Sequence, residues 1–301
     1  MPSVRKSLGK SDMLNGAYRT FGLLLATLVA FGALLGAACG SDSNDPDPTA
    51  IGVQPTPAPT SSLSGSITVF AASSLTDAFT EAKDAFIAEN PDVSIEFNFA
   101  GSSALTTQLQ EGAPADVLAT AAQKSMDTAL ESGSVVDAGQ VFAKNRLAVI
   151  VPKDNPANIQ STCDLMTSGV KLVVAEEGVP VGDYARQAFA NMDVDAACGA
   201  GYSDGVLGNI VSNEANVKAV VTKVQLGEAD AGIAYVTDVT PDVAGDITII
   251  PIEDAYNVIA TYPIAVTTSA GDADLAQAFI DFVLSTEGQD ILESYGFLPP
   301  Q

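Results

Sequence analysis

From Ile67 to the C-terminus the apolar positions switch repeatedly between two periods, and each switch marks a change from strand to helix or back. Residues 67–71 form a short, mostly apolar run that reads as a buried strand. After Ser73 and Ser74, the positions Leu75, Ala78, Phe79, Ala82 and Phe86 recur at helical spacing, so the chain turns into a helix on two serines. Ser74-x-x-Asp77 fits a capping box. A helix start also leaves its first N–H groups unpaired, and a short polar residue there can either close the helix or join those groups in holding an anion. On this stretch alone, capping is the expectation.

The alternation continues through the chain. The first helix stops at Asn90-Pro91, 93–99 reads as a strand, and Ala100-Gly101-Ser102-Ser103 leads into a helix over 104–111. A short strand at 117–120 and a helix at 123–131 follow. Residues 147–151 are wholly apolar and end at Pro152, where the chain is expected to cross into a second lobe. Beyond lie a strand at 171–175, a loop at 176–182 and a helix starting near Asp183. A helix over 214–226 buries Val217, Val220, Val221 and Val224, and strands follow at 231–236, 247–252 and 258–267. Pro263 marks the return crossing, and helices at 273–284 and 286–294 close on the first lobe.

Alternating strands and helices predict an α/β fold with a parallel-type sheet. The architecture expected is the two-lobed, type II periplasmic binding fold, with two strand crossovers and an interlobe cleft. Its first lobe takes 66–147 plus 262–301, and its second 148–261. The length of 301 residues agrees, since it exceeds what one ordinary core needs. Ligands of such sheets bind at the carboxyl ends of strands and in clefts between domains.

The N-terminus carries a different message. Arg5, Lys6, Lys10 and Arg19 precede an apolar run over 21–35, and Gly36-Ala37-Ala38-Cys39 follows. That is the pattern of a secretory signal, too short for a spanning helix. Residues 1–38 are therefore read as a lipoprotein signal peptide and Cys39 as the lipidated first residue, although Gly36 stands where such signals usually have leucine. Met13, closer to the apolar run, is an alternative start. Residues 39–65 are rich in proline, serine and threonine, cannot bury enough apolar surface to fold, and read as a tether. The product would be exported and lipid-anchored on the outer face of the cytoplasmic membrane.

Charge narrows the partners. The leader holds four of the thirteen basic residues and one, Asp12, of the thirty-seven acidic ones. The remaining nine and thirty-six give a net charge of −27, which argues against nucleic acid and against a polybasic membrane patch. Locally aimed dipoles can still hold an anion, because salt screens the diffuse field beyond roughly 10 Å. Cys163 and Cys198, an even pair in an exported chain, read as a disulfide. A reactive thiol or metal site is weaker, because the sequence contains no histidine.

Four segments then carry the candidate chemistry: Ala72-Ser73-Ser74, Gly101-Ser102-Ser103, Val179-Pro180-Val181-Gly182, and the approach to the Asn216-Val217 helix. Each opens a helix and presents N–H groups at the positive end of its dipole. Tyr235 adds a hydroxyl at a strand end. A pocket of donors alone suits an oxyanion without a proton, such as molybdate, tungstate or sulfate; hydrogen phosphate would need an acceptor. Asp77 and Asp183 could supply one, but acids in first helical turns more commonly just compensate the dipole.

The phrases ITVFAASSLTDAF, FAGSSAL, GAPADVL, GVPVGDYA, NVKAVV and GIAYVTD stand in that order. Through them the chain from Ile67 onward resembles the periplasmic molybdate-binding proteins of ABC importers. The resemblance implies a monomeric receptor without cofactor that passes molybdate or tungstate to a membrane permease and its ATPase. It implies oxyanion contacts from the hydroxyls of Ser74 and Ser102, the backbone N–H groups of Val181 and Val217, and the Tyr235 hydroxyl, with no direct ligand to the molybdenum itself. Gly101 departs from the serine common among relatives, and Val181 from a smaller alanine.

Three other readings compete. An enzyme would need a nucleophile at Ser73 or Ser74, but the glycines of a nucleophile elbow and any histidine base are missing. A ferric-iron receptor on the same fold would draw on Tyr184, Tyr202, Tyr235, Glu176 and Glu177. A structural lipoprotein would bind no small ligand at all.

Overall fold

A computed structural model describes residues 63–194 and 198–301. The segment read as a signal peptide, Cys39 and nearly all of the segment read as a tether lie outside the described residues. The elements run β1 (Ser64–Ala72), α1 (Thr76–Glu89), β2 (Asp92–Ala100), α2 (Ser102–Gln110), β3 (Val117–Ala119), α3 (Gln123–Glu131), β4 (Gln140–Asn145) and β5 (Leu147–Pro152). Then come β6 (Leu172–Ala175), α4 (Pro180–Val194), α5 (Tyr202–Gly208), β7 (Ile210–Glu214), α6 (Val217–Gln225), β8 (Ala231–Tyr235), β9 (Ile247–Pro251), β10 (Ala260–Val266), α7 (Ala273–Leu284) and α8 (Thr286–Ser294).

These strands make two five-stranded sheets, β2-β1-β3-β10-β4 and β7-β6-β8-β5-β9. Each sheet founds one lobe. The chain passes from the first sheet to the second at Arg146, between β4 and β5, and returns into the first with β10. The expected parallel-type sheet needs correction: both sheets are mixed. β1 runs parallel to β2 and β3, and β6 to β7 and β8, as strand–helix alternation requires. β10 and β5, the strands nearest the crossings, pair antiparallel with both of their neighbours.

β1 reads as an unbroken apolar run because helices cover both faces of its sheet. On one side Phe79 and Phe86 of α1 meet Phe279 and Phe282 of α7, with several ring pairs edge-on at 5.4–6.0 Å. On the other side Phe70, Leu105, Leu118 and Met126 form a smaller cluster under α2 and α3. The closing helices lie on the first lobe, and Ser285 links them by accepting the Gly288 N–H as the cap of α8.

Several bounds differ from the sequence reading. β1 begins at Ser64, so Ser64 and Gly65, assigned to the tether, pair with Asp92 and Val93. β4, α5 and β7 had no counterpart. β7 is a half-polar edge strand, and α5 is a seven-residue helix entered through left-handed Gly201, so neither shows a sustained period. α4 starts at Pro180 rather than Asp183, since proline suits a first helical position. Cys163 and Cys198 are joined in a disulfide within the second lobe. No helix among the described residues is long and apolar enough to cross a membrane.

Candidate oxyanion site

The capping role expected of Ser74 is not what the structure shows. Residues Ser73–Leu75 make a single 3-10 turn before α1, and no side chain caps the start of the turn or the start of α1. Instead Ser74 Oγ lies 2.9 Å from Tyr262 Oη, with both residues buried. Thr76 fixes the turn by donating to the Ser73 carbonyl at 2.7 Å. At the end of the neighbouring strand, Gly101 leads into α2 and Ser102 is its first residue, 1% exposed. Its Oγ accepts the Ala121 N–H at 3.0 Å.

The second lobe supplies three further groups. Within α4 the main-chain ladder opens with Asp183 N donating to Val179 O, which leaves the Val181 N–H ahead of the first bond. α6 is capped by Asn216, whose side chain accepts the Ala219 N–H at 3.0 Å. The cap serves the third residue and leaves the Val217 N–H at the open end. Tyr235 ends β8, is 1% exposed, and its hydroxyl has no hydrogen-bond partner. Burial pushes that phenol well above its ordinary pKa, so it stays a donor at neutral pH.

All five of these residues, Ser74, Ser102, Val181, Val217 and Tyr235, line one small cavity between the lobes, in which the space open to the centre of a water-sized sphere is about 10 Å³. That lies below the roughly 300–1,000 Å³ of sites for organic molecules. The lobes approach closely beside it: a Cβ on Gly101 would stand 2.5 Å from the Ala215 carbonyl oxygen of the other lobe. Neither acid considered as a proton acceptor lines it. Asp77 is paired with Lys218 at 2.6 Å, and Asp183 accepts the Gly178 N–H at 2.7 Å and faces Lys124 at 3.3 Å. The iron cluster does not assemble around the cavity either. The Tyr202 hydroxyl donates to the Thr162 carbonyl, and Glu176 and Glu177 are exposed. Among the described residues no group of three or more acidic, cysteine or histidine side chains could hold a metal ion.

Sequence reasoning missed what stands behind the cavity. Tyr262 and Asn145 are fully buried, and Asn145 Nδ2 donates to Thr237 Oγ1 at 2.7 Å and to Tyr262 Oη at 3.3 Å. Their signal was a polar tip in a mostly apolar strand, next to Pro263 where the β10 register shifts, and an asparagine that ends β4 just before the wholly apolar β5. Asp238 was missed as well. It is buried, accepts the Tyr235 N–H at 3.0 Å, and burial pushes its carboxyl up to about 7 against the pull of Lys218.

Two mixed sheets with a donor-lined cleft between them define a solute receptor of the two-lobed kind. Residues 67–298 match the family of bacterial extracellular solute-binding proteins. The chain is 37% identical over 281 residues, 93% of its length and 97% of the other, to the molybdate-binding protein ModA of Mycobacterium tuberculosis. It is also similar to the substrate-binding domain of a putative molybdenum ABC transporter from Clostridium difficile. That likeness has 28% identity and a TM-score of 0.58, covering 78% of this chain and 99% of that one. The sulfate-binding protein SubI of M. tuberculosis shares the fold at a TM-score of 0.70 and 18% identity, over 78% of this chain and 86% of that one. The chain belongs to the bacterial extracellular solute-binding proteins and, within them, to the ModA type.

Proposed function

We propose that the interlobe cavity captures molybdate as a bare dianion and that the protein delivers it to the permease and ATPase of an ABC importer. The observation that carries this reading is the make-up of the cavity wall: two serine hydroxyls whose oxygens already take part in hydrogen bonds, one unpaired buried phenol, and the open ends of two helices. Each hydrogen bond to a charged partner contributes about 1.5–3 kcal/mol, so five or six reach the −8 to −12 kcal/mol of micromolar to nanomolar binding. Tungstate, with the same charge and shape, enters the same way. The protein is a receptor rather than an enzyme and acts as a monomer. The basic and apolar leader ending at Cys39 supports a lipid anchor, with 39–65 as the tether.

Competition calorimetry on the purified mature chain tests the reading. Molybdate and tungstate should displace one another at one site, sulfate should compete weakly, and hydrogen phosphate should not. A chain that ignores all four salts, or is stabilised by ferric citrate instead, would refute it.

A further inference from the structure

We propose that Tyr262, held in place by Asn145, is a positioning residue that sets the direction of the Ser74 hydroxyl and so helps exclude oxyanions that carry a proton. The inference rests on the oxyanion reading above and deepens it. Neither Tyr262 nor Asn145 lines the cavity, so influence on the guest passes through residues that do: Ser74, by a hydrogen bond, and Tyr235, whose ring Tyr262 meets edge-on at 5.9 Å.

The direction follows from counting protons. Asn145 Oδ1 accepts the Arg146 N–H at 2.9 Å, which fixes which end of the amide is which. Both hydrogens of Nδ2 are then donated, one to Thr237 Oγ1 and one to Tyr262 Oη. Asn145 offers Tyr262 no acceptor. The phenol proton therefore goes to Ser74 Oγ, 2.9 Å away, and Ser74 turns its own proton toward the cleft. Burial raises the Tyr262 pKa, so the phenol does not lose this proton near neutrality. Ser102 is set in the same sense by a different donor, the Ala121 N–H. A guest oxygen bearing hydrogen would meet a second hydrogen at both serines.

Replacing Tyr262 by phenylalanine keeps the ring in the core and frees Ser74 to rotate, so it can accept as well as donate. Calorimetry with sodium molybdate and with inorganic phosphate at neutral pH should be run on wild type, Tyr262→Phe, Ser74→Ala and the double variant. Tyr262→Phe should weaken molybdate about tenfold and narrow the molybdate-to-phosphate ratio by about as much. The double variant should bind molybdate no more weakly than Ser74→Ala alone, because the effect is carried by the serine. A purely structural role would weaken both anions alike and would add to the serine loss, and either result overturns the proposal. If the phenylalanine variant does not fold, Asn145→Ala replaces it in the same cycle, with a smaller loss of about threefold and the same narrowing. Wild type that fails to bind molybdate overturns both readings. Binding with an additive cycle overturns only the role of Tyr262.

Discussion

Lys218 Nζ of α6 lies 2.6 Å from Asp77 Oδ2 of α1, joining the two lobes beside the cavity. Lys218 follows Val217 and Asp77 stands one turn past Ser74, so the pair ties together two helix starts that border the cavity. About a third of each side chain is exposed, which limits its strength to roughly that of a surface pair, 0.2–1 kcal/mol. Lys218→Met should therefore weaken molybdate by about two- to fivefold, and the loss should shrink with added salt. Asp77→Asn removes the same clasp but also a negative charge near the anion, so its loss should be smaller. Unchanged or tighter binding in Asp77→Asn, measured by calorimetry, would mean that the pair does not act as a clasp.

The strands and helices that carry a strong period were legible from sequence. α3, α7 and α8 were read with their observed bounds, because each buries a clear stripe between polar flanks. The strand-to-helix turns were legible too, since serines and glycines at those points have few other uses. What could not be read was long-range. Whether Ser74 caps its own helix depends on Tyr262, 188 positions away, and only the return of β10 beside the first lobe brings that hydroxyl within reach. The same holds for Asn145 and Thr237, whose partnership crosses from one lobe to the other. Mixed pairing at β5 and β10 is likewise set by the double crossing, which leaves no mark on local periodicity.

Gly101 makes the fit of the closed lobes sensitive to a single methyl group. Its backbone angles are ordinary for any residue, with φ −63°, so substitution introduces no local strain. The conflict arises across the cleft, where an added Cβ would stand 2.5 Å from Ala215 O. Gly101→Ala should therefore leave the melting temperature of the ligand-free protein nearly unchanged. It should weaken molybdate at least tenfold by holding the lobes apart. A variant that binds as wild type would show that the second lobe yields at Ala215.

Ser74 and Ser102 should each cost both affinity and stability when truncated, because each oxygen already serves a buried donor. Either change to alanine removes one donor to a charged guest and should cost roughly 10- to 100-fold in affinity. Ser102→Ala also leaves the buried Ala121 N–H without its partner, and Ser74→Ala leaves the buried Tyr262 hydroxyl without its acceptor, each a stability loss of about 1–3 kcal/mol that shows without ligand. Calorimetry paired with thermal unfolding measures both. Undiminished affinity in both variants would remove the serines from the site.

The Cys163–Cys198 disulfide closes a loop spanning 35 positions in the second lobe, away from the cavity lining. By loop-closure entropy it stabilises the fold by roughly 3–4 kcal/mol. A Cys163→Ser, Cys198→Ser double variant should unfold at lower temperature and yet, while folded, bind molybdate with unchanged affinity. A matching loss of affinity at a temperature where the variant is fully folded would tie the disulfide to the site.

Asp238 predicts the sign of a pH effect. An ordinary aspartate ionises near 3.9, whereas burial raises this one to about 7. Between those values the folded chain keeps a proton that the unfolded chain has released. Stability conferred by that proton is complete below about pH 4, declines as pH rises, and is gone above about 7. Asp238→Asn removes the titration while retaining a carbonyl oxygen for the Tyr235 N–H, and it swaps one unpartnered atom, Oδ1, for another. Relative to this variant, wild type should lose up to about 3 kcal/mol between pH 5 and 8, a drop of roughly 5 °C or more in melting temperature. The other carboxylates titrate equally in both proteins and cancel in the difference. Parallel melting curves across that range would mean that Asp238 is already ionised in the folded chain, with Lys218 rather than a proton balancing its charge.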